Sequence, residues 1–185
     1  MEFKYVIVGG GLAAGRACYG IRRVDETGSI AVVCDEPMLP YERPALSKGY
    51  LTGKDDRAHL LFRDAAFYDE NHITVLSGAR ATHLDAQAHA VTLDDGRMLQ
   101  YQKLLLATGG RARRLPIPGA DLANVFTLRT AQDADAIRAA AKPGARALVI
   151  GGSFIGAEVS AALAQLGLRV TTVFLEEHLL ARALP

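Results

Sequence analysis

The residues in this sequence best placed to do chemistry are glycines. In YVIVGGGLAAG, residues 5–15, Gly9, Gly11 and Ala14 stand at the spacing G-x-G-x-x-A, and after Ala145 the stretch ALVIGGSFIGAEVSAALAQLG puts Gly151, Ser153 and Gly156 at the same offsets. Each position answers a physical need. The first glycine permits a tight strand-to-helix turn, the second removes a side chain that would block a pyrophosphate, and the third small residue lets the new helix pack against the strand. A helix beginning at Leu12 aims its unpaired N–H groups at the turn, so an anion belongs there. One such turn is weak grounds for a nucleotide site, because glycine-rich strand exits are common. Two on one chain form an internal repeat and are far less accidental.

The elements that must position these turns follow from the flanking residues. Residues 5–8 are a continuous apolar run closed by glycine, the pattern of a parallel strand covered on both faces. From Leu12 the apolar residues Ala14, Ala17, Cys18, Ile21 and Val24 recur at helical spacing and predict one buried face. A second apolar run, residues 30–33, comes at βαβ distance and leads into Asp35 and Glu36, where such a unit places an acid to accept ribose hydroxyls; a solvated turn acid is the alternative.

Residues 37–54, dense in proline and polar side chains, read as a long ordered loop rather than a helix or strand. Its cations Arg43 and Lys48 follow the second strand, on the side where doubly wound sheets bind ligands, although both could be plain surface charges. A helix is expected within residues 60–71 and a strand at 73–76. A meander of strands at 80–84, 90–93 and 98–101 should then turn at Asp94-Asp95-Gly96-Arg97. Residues 103–106 return to the parent sheet and stop at the small residues Ala107, Thr108, Gly109 and Gly110, against which a ligand can lie.

Residues 111–119, RARRLPIPG, read as a solvated basic connector. Thr130 then starts a helix with Asp133 in an imperfect capping box and Ala134, Ile137 and Ala141 on one face, ended by Lys142-Pro143-Gly144. After the second glycine turn its helix closes at Gly167, and residues 170–173 form the next strand. The expected fold is α/β: doubly wound, Rossmann-like and three-layered, with an inserted β-meander and a truncated second nucleotide domain. The expected domains are residues 1–112 and 122–185, with a linker at 113–121.

Bulk composition bounds the function. The chain has 185 residues, 50% hydrophobic and 22% charged, enough to bury a core, and its formal net charge of +1 offers no field for nucleic acid or an anionic membrane. Two cysteines without C-x-x-C spacing argue for a reduced, cytoplasmic chain without a dithiol centre. No apolar run is long enough for a signal peptide or a bilayer span. The five histidines show no metal-ligand spacing, and no nucleophile elbow is present.

Taken together, VIVGGGLAAG, YERPALSK, LLLATGG, TLRTAQDA and VIGGSFIGAE give the sequence its family likeness. It resembles the two-dinucleotide flavoprotein reductases of the ferredoxin and rubredoxin reductase type, with monodehydroascorbate reductases and apoptosis-inducing-factor-like proteins as relatives. The resemblance implies an FAD-dependent NAD(P)H oxidoreductase that passes electrons to an acceptor such as a small iron-sulfur or iron protein. It implies FAD at Gly9, Gly11, Leu12, Ala13 and Ala14, with Asp35 or Glu36 at the ribose. Arg43 and Lys48 would pass beside the flavin, with Ala81 near the adenine and Ala107, Thr108, Gly109 and Arg129 along the cofactor. It implies NADH or NADPH at Gly151, Gly152, Ser153, Phe154, Ile155 and Gly156. Lys48 and Glu158 would then be the catalytic pair, Lys48 stabilising reduced flavin and Glu158 orienting it, with a purely structural ion pair as the alternative.

Departures from the family pattern temper these implications. Ser153 replaces the middle glycine, and Phe174 stands where NAD-preferring members carry an acid; Glu176 and Glu177 follow, Glu176 being the nearer candidate, so nicotinamide preference is open. The family's returning FAD segment and C-terminal interface domain have no counterpart in the sequence, so weak FAD binding and poor turnover are expected of this chain alone. The rival reading is a non-catalytic dinucleotide-binding module, or a fragment that needs a partner segment.

Overall fold

The computed structural model describes residues 1–181. In chain order the elements are β1 (Glu2–Val8), α1 (Leu12–Arg22), β2 (Ile30–Cys34), a 3-10 turn (Arg43–Ser47), α2 (Gly49–Thr52) and a second 3-10 turn (Ala58–Leu60). Next come α3 (Ala65–Glu70), β3 (Ile73–Ser77), β4 (Ala81–Asp85), β5 (Ala90–Leu93) and β6 (Met98–Leu106). The remainder holds α4 (Ala131–Ala140), β7 (Arg146–Ile150), α5 (Phe154–Gln165) and β8 (Arg169–Val173). They fall into two compact units, one of Met1–Glu42 with Leu61–Gly110, the other of Arg43–Leu60 with Arg111–Pro185.

The first unit is built on a sheet of order β3-β2-β1-β6-β5-β4. Strands β3, β2, β1 and β6 run parallel, whereas β5 and β4 join antiparallel as the meander. β1 and β2 are apolar on both faces because both are covered. Ile7, Ile30, Val32 and Cys34 pack with Ala14 and Cys18 of α1 and Tyr68 of α3. Their neighbours Val6, Val8, Ala31 and Val33 pack instead with Val91, Leu93 and Leu99 of the meander. The parallel strands β1 and β2 are thus covered by helices on one face and by residues of the meander, which continues the same sheet, on the other, and this is the α/β fold with an inserted meander that the sequence predicts.

Three local expectations are corrected. Val24 lies beyond the end of α1 and is 86% exposed instead of on its buried face. The chain leaves the helix there because Arg22 reaches across to the carbonyls of Gly28 and Asn71, both at 2.7 Å. The last meander strand and the returning strand are one element: β6 pairs antiparallel with β5 through Met98, Leu99 and Gln100 and parallel with β1 as far as Leu106. Finally, residues 37–54 are not free of helix, since Pro44 sits in the first positions of a 3-10 turn, where a missing N–H costs nothing, and α2 follows.

In the second unit, Arg43–Leu60 packs against α4 and α5 and contributes Leu46, Tyr50, Leu51 and Leu60 to the interior. The loop at residues 37–54 follows the second strand in sequence and falls in the expected domain 1–112, but from Arg43 onward its packing is with the second unit. α4 begins with a complete capping box, the Thr130 hydroxyl accepting from the Asp133 N–H at 3.1 Å and the Asp133 carboxylate accepting from the Thr130 N–H at 2.8 Å. β7 and β8 pair in parallel, joined through α5. Gly167 follows α5 in the left-handed region (φ 83°) and closes it.

Candidate functional site

The first glycine turn owes its shape to close backbone contact. Gly9 donates its N–H to the Val33 carbonyl at 2.9 Å and has φ 146°, and a Cβ there would fall 2.1 Å from the Ala107 carbonyl oxygen. Only glycine fits between β1 and the end of β6. Gly11 differs. Its φ of −105° suits any residue, and a Cβ would meet nothing within 4 Å, so among the described residues no packing contact calls for a glycine. Ala14 is fully buried behind the turn, while Leu12 is half-buried and Ala13 exposed at the helix start. Open space thus stands where the fingerprint would place a pyrophosphate, in front of the free N–H groups of an eleven-residue helix.

The two acids after β2 are held differently. Asp35 is exposed and forms an ion pair with Arg80 at 2.9 Å. Glu36 is half-buried and accepts a hydrogen bond from the Tyr41 hydroxyl at 2.6 Å. Tyr41 is fully buried, and its backbone N–H bonds to the Gly10 carbonyl at 3.3 Å, so Glu36 is tethered to the glycine turn itself. Ala81 opens β4, half-buried opposite Leu93. Ala107 backs onto Gly9, and Thr108 and Gly109 follow it exposed, Gly109 with φ 69°.

In the second unit, Gly151 takes φ 127° and bonds to the Val173 carbonyl at 2.8 Å, while a Cβ on Gly156 would fall 2.0 Å from the Gly151 carbonyl oxygen. The same two approaches, strand to strand and helix to strand, recur. Ser153 stands at the N-cap of α5, exposed, and its hydroxyl makes no cap hydrogen bond. Phe154 and Ile155 begin the helix more than half exposed. Phe174 leans on the turn: a Cβ on Gly152 would lie 2.7 Å from its ring. The Gly152 carbonyl accepts the Leu180 N–H at 2.7 Å, which ties residues after β8 back to the turn, and Glu176 is half-buried in that segment.

Lys48 and Glu158 meet. The ammonium lies 2.9 Å from Oε1 of the carboxylate, and the Ser47 hydroxyl donates to Oε2 at 2.5 Å. Burial pushes the Glu158 carboxyl up, but the hydrogen bonds from Ser47 and then Lys48 outweigh it, so it stays ionised below the usual carboxylate range. The Arg43 guanidinium donates to the Arg129 carbonyl at 2.6 Å, and the Arg129 N–H donates to Asp133 at 2.9 Å, which fixes the Arg43 side chain and the Arg129 backbone around the α4 cap.

Sequence reasoning overlooked Ser47 and Tyr41. Neither carries a periodic signal, because each works through a single contact: Ser47 with a residue 111 positions away, Tyr41 with one five positions back across a turn. The only available cue was the position of both inside the proline-rich loop.

A profile of the family described as "Pyridine nucleotide-disulphide oxidoreductase" matches residues 3–185. The rhodocoxin reductase of Rhodococcus erythropolis is 42% identical over 179 residues, covering 97% of this chain and 42% of that protein. The anthranilate 1,2-dioxygenase system ferredoxin–NAD(+) reductase component of Burkholderia cepacia is 44% identical over 183 residues, covering 98% of this chain and 45% of its own. Among solved structures, the covalent putidaredoxin reductase–putidaredoxin complex superposes with a TM-score of 0.91 at 38% identity, over 99% of this chain and 45% of the matched one. The chain therefore spans less than half the length of the relatives it matches. Because that family profile matches nearly the whole chain, the chain belongs to the pyridine nucleotide-disulphide oxidoreductase family.

Proposed function

We propose that this chain carries the FAD-binding and NAD(P)H-binding parts of a ferredoxin reductase-like oxidoreductase. The observation that carries the reading is the repeated strand–glycine turn–helix unit, its first copy open at Gly11, where among the described residues nothing lies within 4 Å of the place a Cβ would take. When bound, FAD supplies acceptance of a hydride from the nicotinamide and release of electrons to a ferredoxin, rubredoxin or similar acceptor.

The chain's own residues bind and orient. Gly9 and Gly11 shape the turn that takes the FAD pyrophosphate against Leu12, Ala13 and Ala14 at the N-terminus of α1. Of the two acids, Glu36 is the ribose acceptor, because Tyr41 holds it at the turn while Asp35 is spent on Arg80. Gly151, Gly152 and Gly156 take the nicotinamide dinucleotide in the same way, and the uncapped Ser153 hydroxyl is available to its phosphate. Lys48 acts as the cation for negative charge on the flavin and Glu158 as its orienting partner. Arg43, Arg129, Ala81 and Ala107 to Gly109 line the cofactor, and Glu176 faces the nicotinamide dinucleotide's adenosine. The proposed division is residues 1–112 for FAD and 122–185 for NAD(P)H, joined by a linker at 113–121, with Arg43–Leu60 packed in the second compact unit. Both cysteines are free and buried, which supports a reducing, cytoplasmic setting.

The test is an anaerobic titration of the purified chain supplied with excess FAD. Bleaching of the flavin absorbance by NADH or NADPH supports the oxidoreductase. Nucleotide binding without bleaching supports a binding module instead.

A further inference from the structure

Among the described residues Ser47 is the one buried polar side chain outside the tyrosines, 5% exposed. A hydroxyl withdrawn from water needs a partner, and the two acceptors within reach are unequal. The Pro44 carbonyl lies at 3.4 Å and Oε2 of Glu158 at 2.5 Å, the second within the range of a hydroxyl donating to an ionised carboxylate. The single hydroxyl hydrogen therefore goes to Glu158.

Lys48 holds the other carboxylate oxygen, but less firmly. Its side chain is 52% exposed, rides on four rotatable carbons, and also reaches the Pro44 carbonyl at 3.1 Å. Ser47 has one rotor and no alternative of similar quality. We propose that Ser47 is the positioning residue for Glu158, fixing the carboxylate two residues past Gly156 in one orientation whatever Lys48 does. This rests on reading the second glycine turn as the nicotinamide site.

The location supports the assignment. A groove of about 300 Å3 opens beside the pair, lined by Thr52, Lys54, Ala161 and Gln165 as well as by Ser47, Lys48 and Glu158. Lys54 is the other cation among the residues lining this groove, and its ammonium sits 3.4 Å from the Gln165 amide oxygen. If Lys48 turned toward a ligand, Ser47 would still hold the carboxylate.

The proposal is tested first without cofactor. In the full chain labelled with 13C at glutamate carboxyls, the Glu158 signal, assigned with E158Q, is followed against pH in wild type, S47A and S47T. S47A should titrate at higher pH and S47T near wild type; a Glu158 titration in S47A unchanged from wild type overturns the proposal. Should S47A fail to fold by circular dichroism, S47C keeps the volume with a weaker donor and is read in the same titration. With FAD and NADH supplied, flavin reduction in S47A should slow about tenfold, the equivalent of one charge-assisted hydrogen bond, and recover in S47T. Equal, non-zero rates of flavin reduction in S47A and wild type overturn it. A wild type that binds FAD but is never reduced by nicotinamide sinks the functional reading, while the carboxyl titration still judges Ser47.

Discussion

Gly9 and Gly11 sit two residues apart in one turn, yet substituting them should fail in different ways. Gly9→Ala forces a Cβ to within 2.1 Å of the Ala107 oxygen at φ 146°, so it should cost more than about 2 kcal/mol of stability, measured by urea unfolding. Gly11→Ala meets open space and should cost less than about 1 kcal/mol, while lowering FAD affinity about tenfold or more in a fluorescence-quenching titration. Glu158→Gln should separate function from stability in the same manner. The Lys48 pair is half-exposed and contributes little to folding, so thermal melting should hardly move, whereas nicotinamide-driven flavin reduction should slow about tenfold or more in stopped flow. At this scale the glycine positions were legible because a turn's needs are written in adjacent residues. Ser47 was not, because its partner is on another element 111 residues away.

Among the elements, the link from α1 into β2 is held by charge as well as packing. Asp25 takes the Lys4 ammonium at 2.7 Å, the Gly28 N–H at 2.8 Å and the Tyr5 hydroxyl at 2.9 Å. These partners, Lys4 foremost, hold its carboxyl well below the usual range. A depressed folded value stabilises the fold above the unfolded carboxyl's pKa of about 3.9 and loses that contribution as pH falls below it. Asp25→Asn should therefore lower the melting temperature at pH 7, with the gap to wild type narrowing in melts below about pH 4. The same network explains a misread element. Periodicity carries α1 on to Val24, but Arg22 and Asp25 bind the turn and end the helix first. The continuous β6 was likewise hidden, since a strand that changes partner midway shows no single alternation.

For the whole molecule, apolar periodicity and glycine spacing made the sheet, the meander and the repeat readable, but not the allegiance of residues 43–60. That segment follows β2 in sequence, yet Tyr50 donates to Asp135 at 2.7 Å, Arg57 pairs with the same carboxylate at 2.6 Å, and Leu51 is fully buried. Only folding of the distant α4 and α5 creates those partners. Hydrogen exchange should accordingly show residues 43–60 losing protection together with 122–181 in rising urea; loss together with β1 and β2 would contradict this. The most direct measurement of the central claim is amide chemical-shift mapping of the chain titrated separately with FAD and with NADH, which registers even weak binding. FAD should shift the amides from Gly9 to Ala14 and of Glu36, and NADH those from Gly151 to Gly156. Both ligands shifting the same turn, or neither turn responding, would contradict that claim.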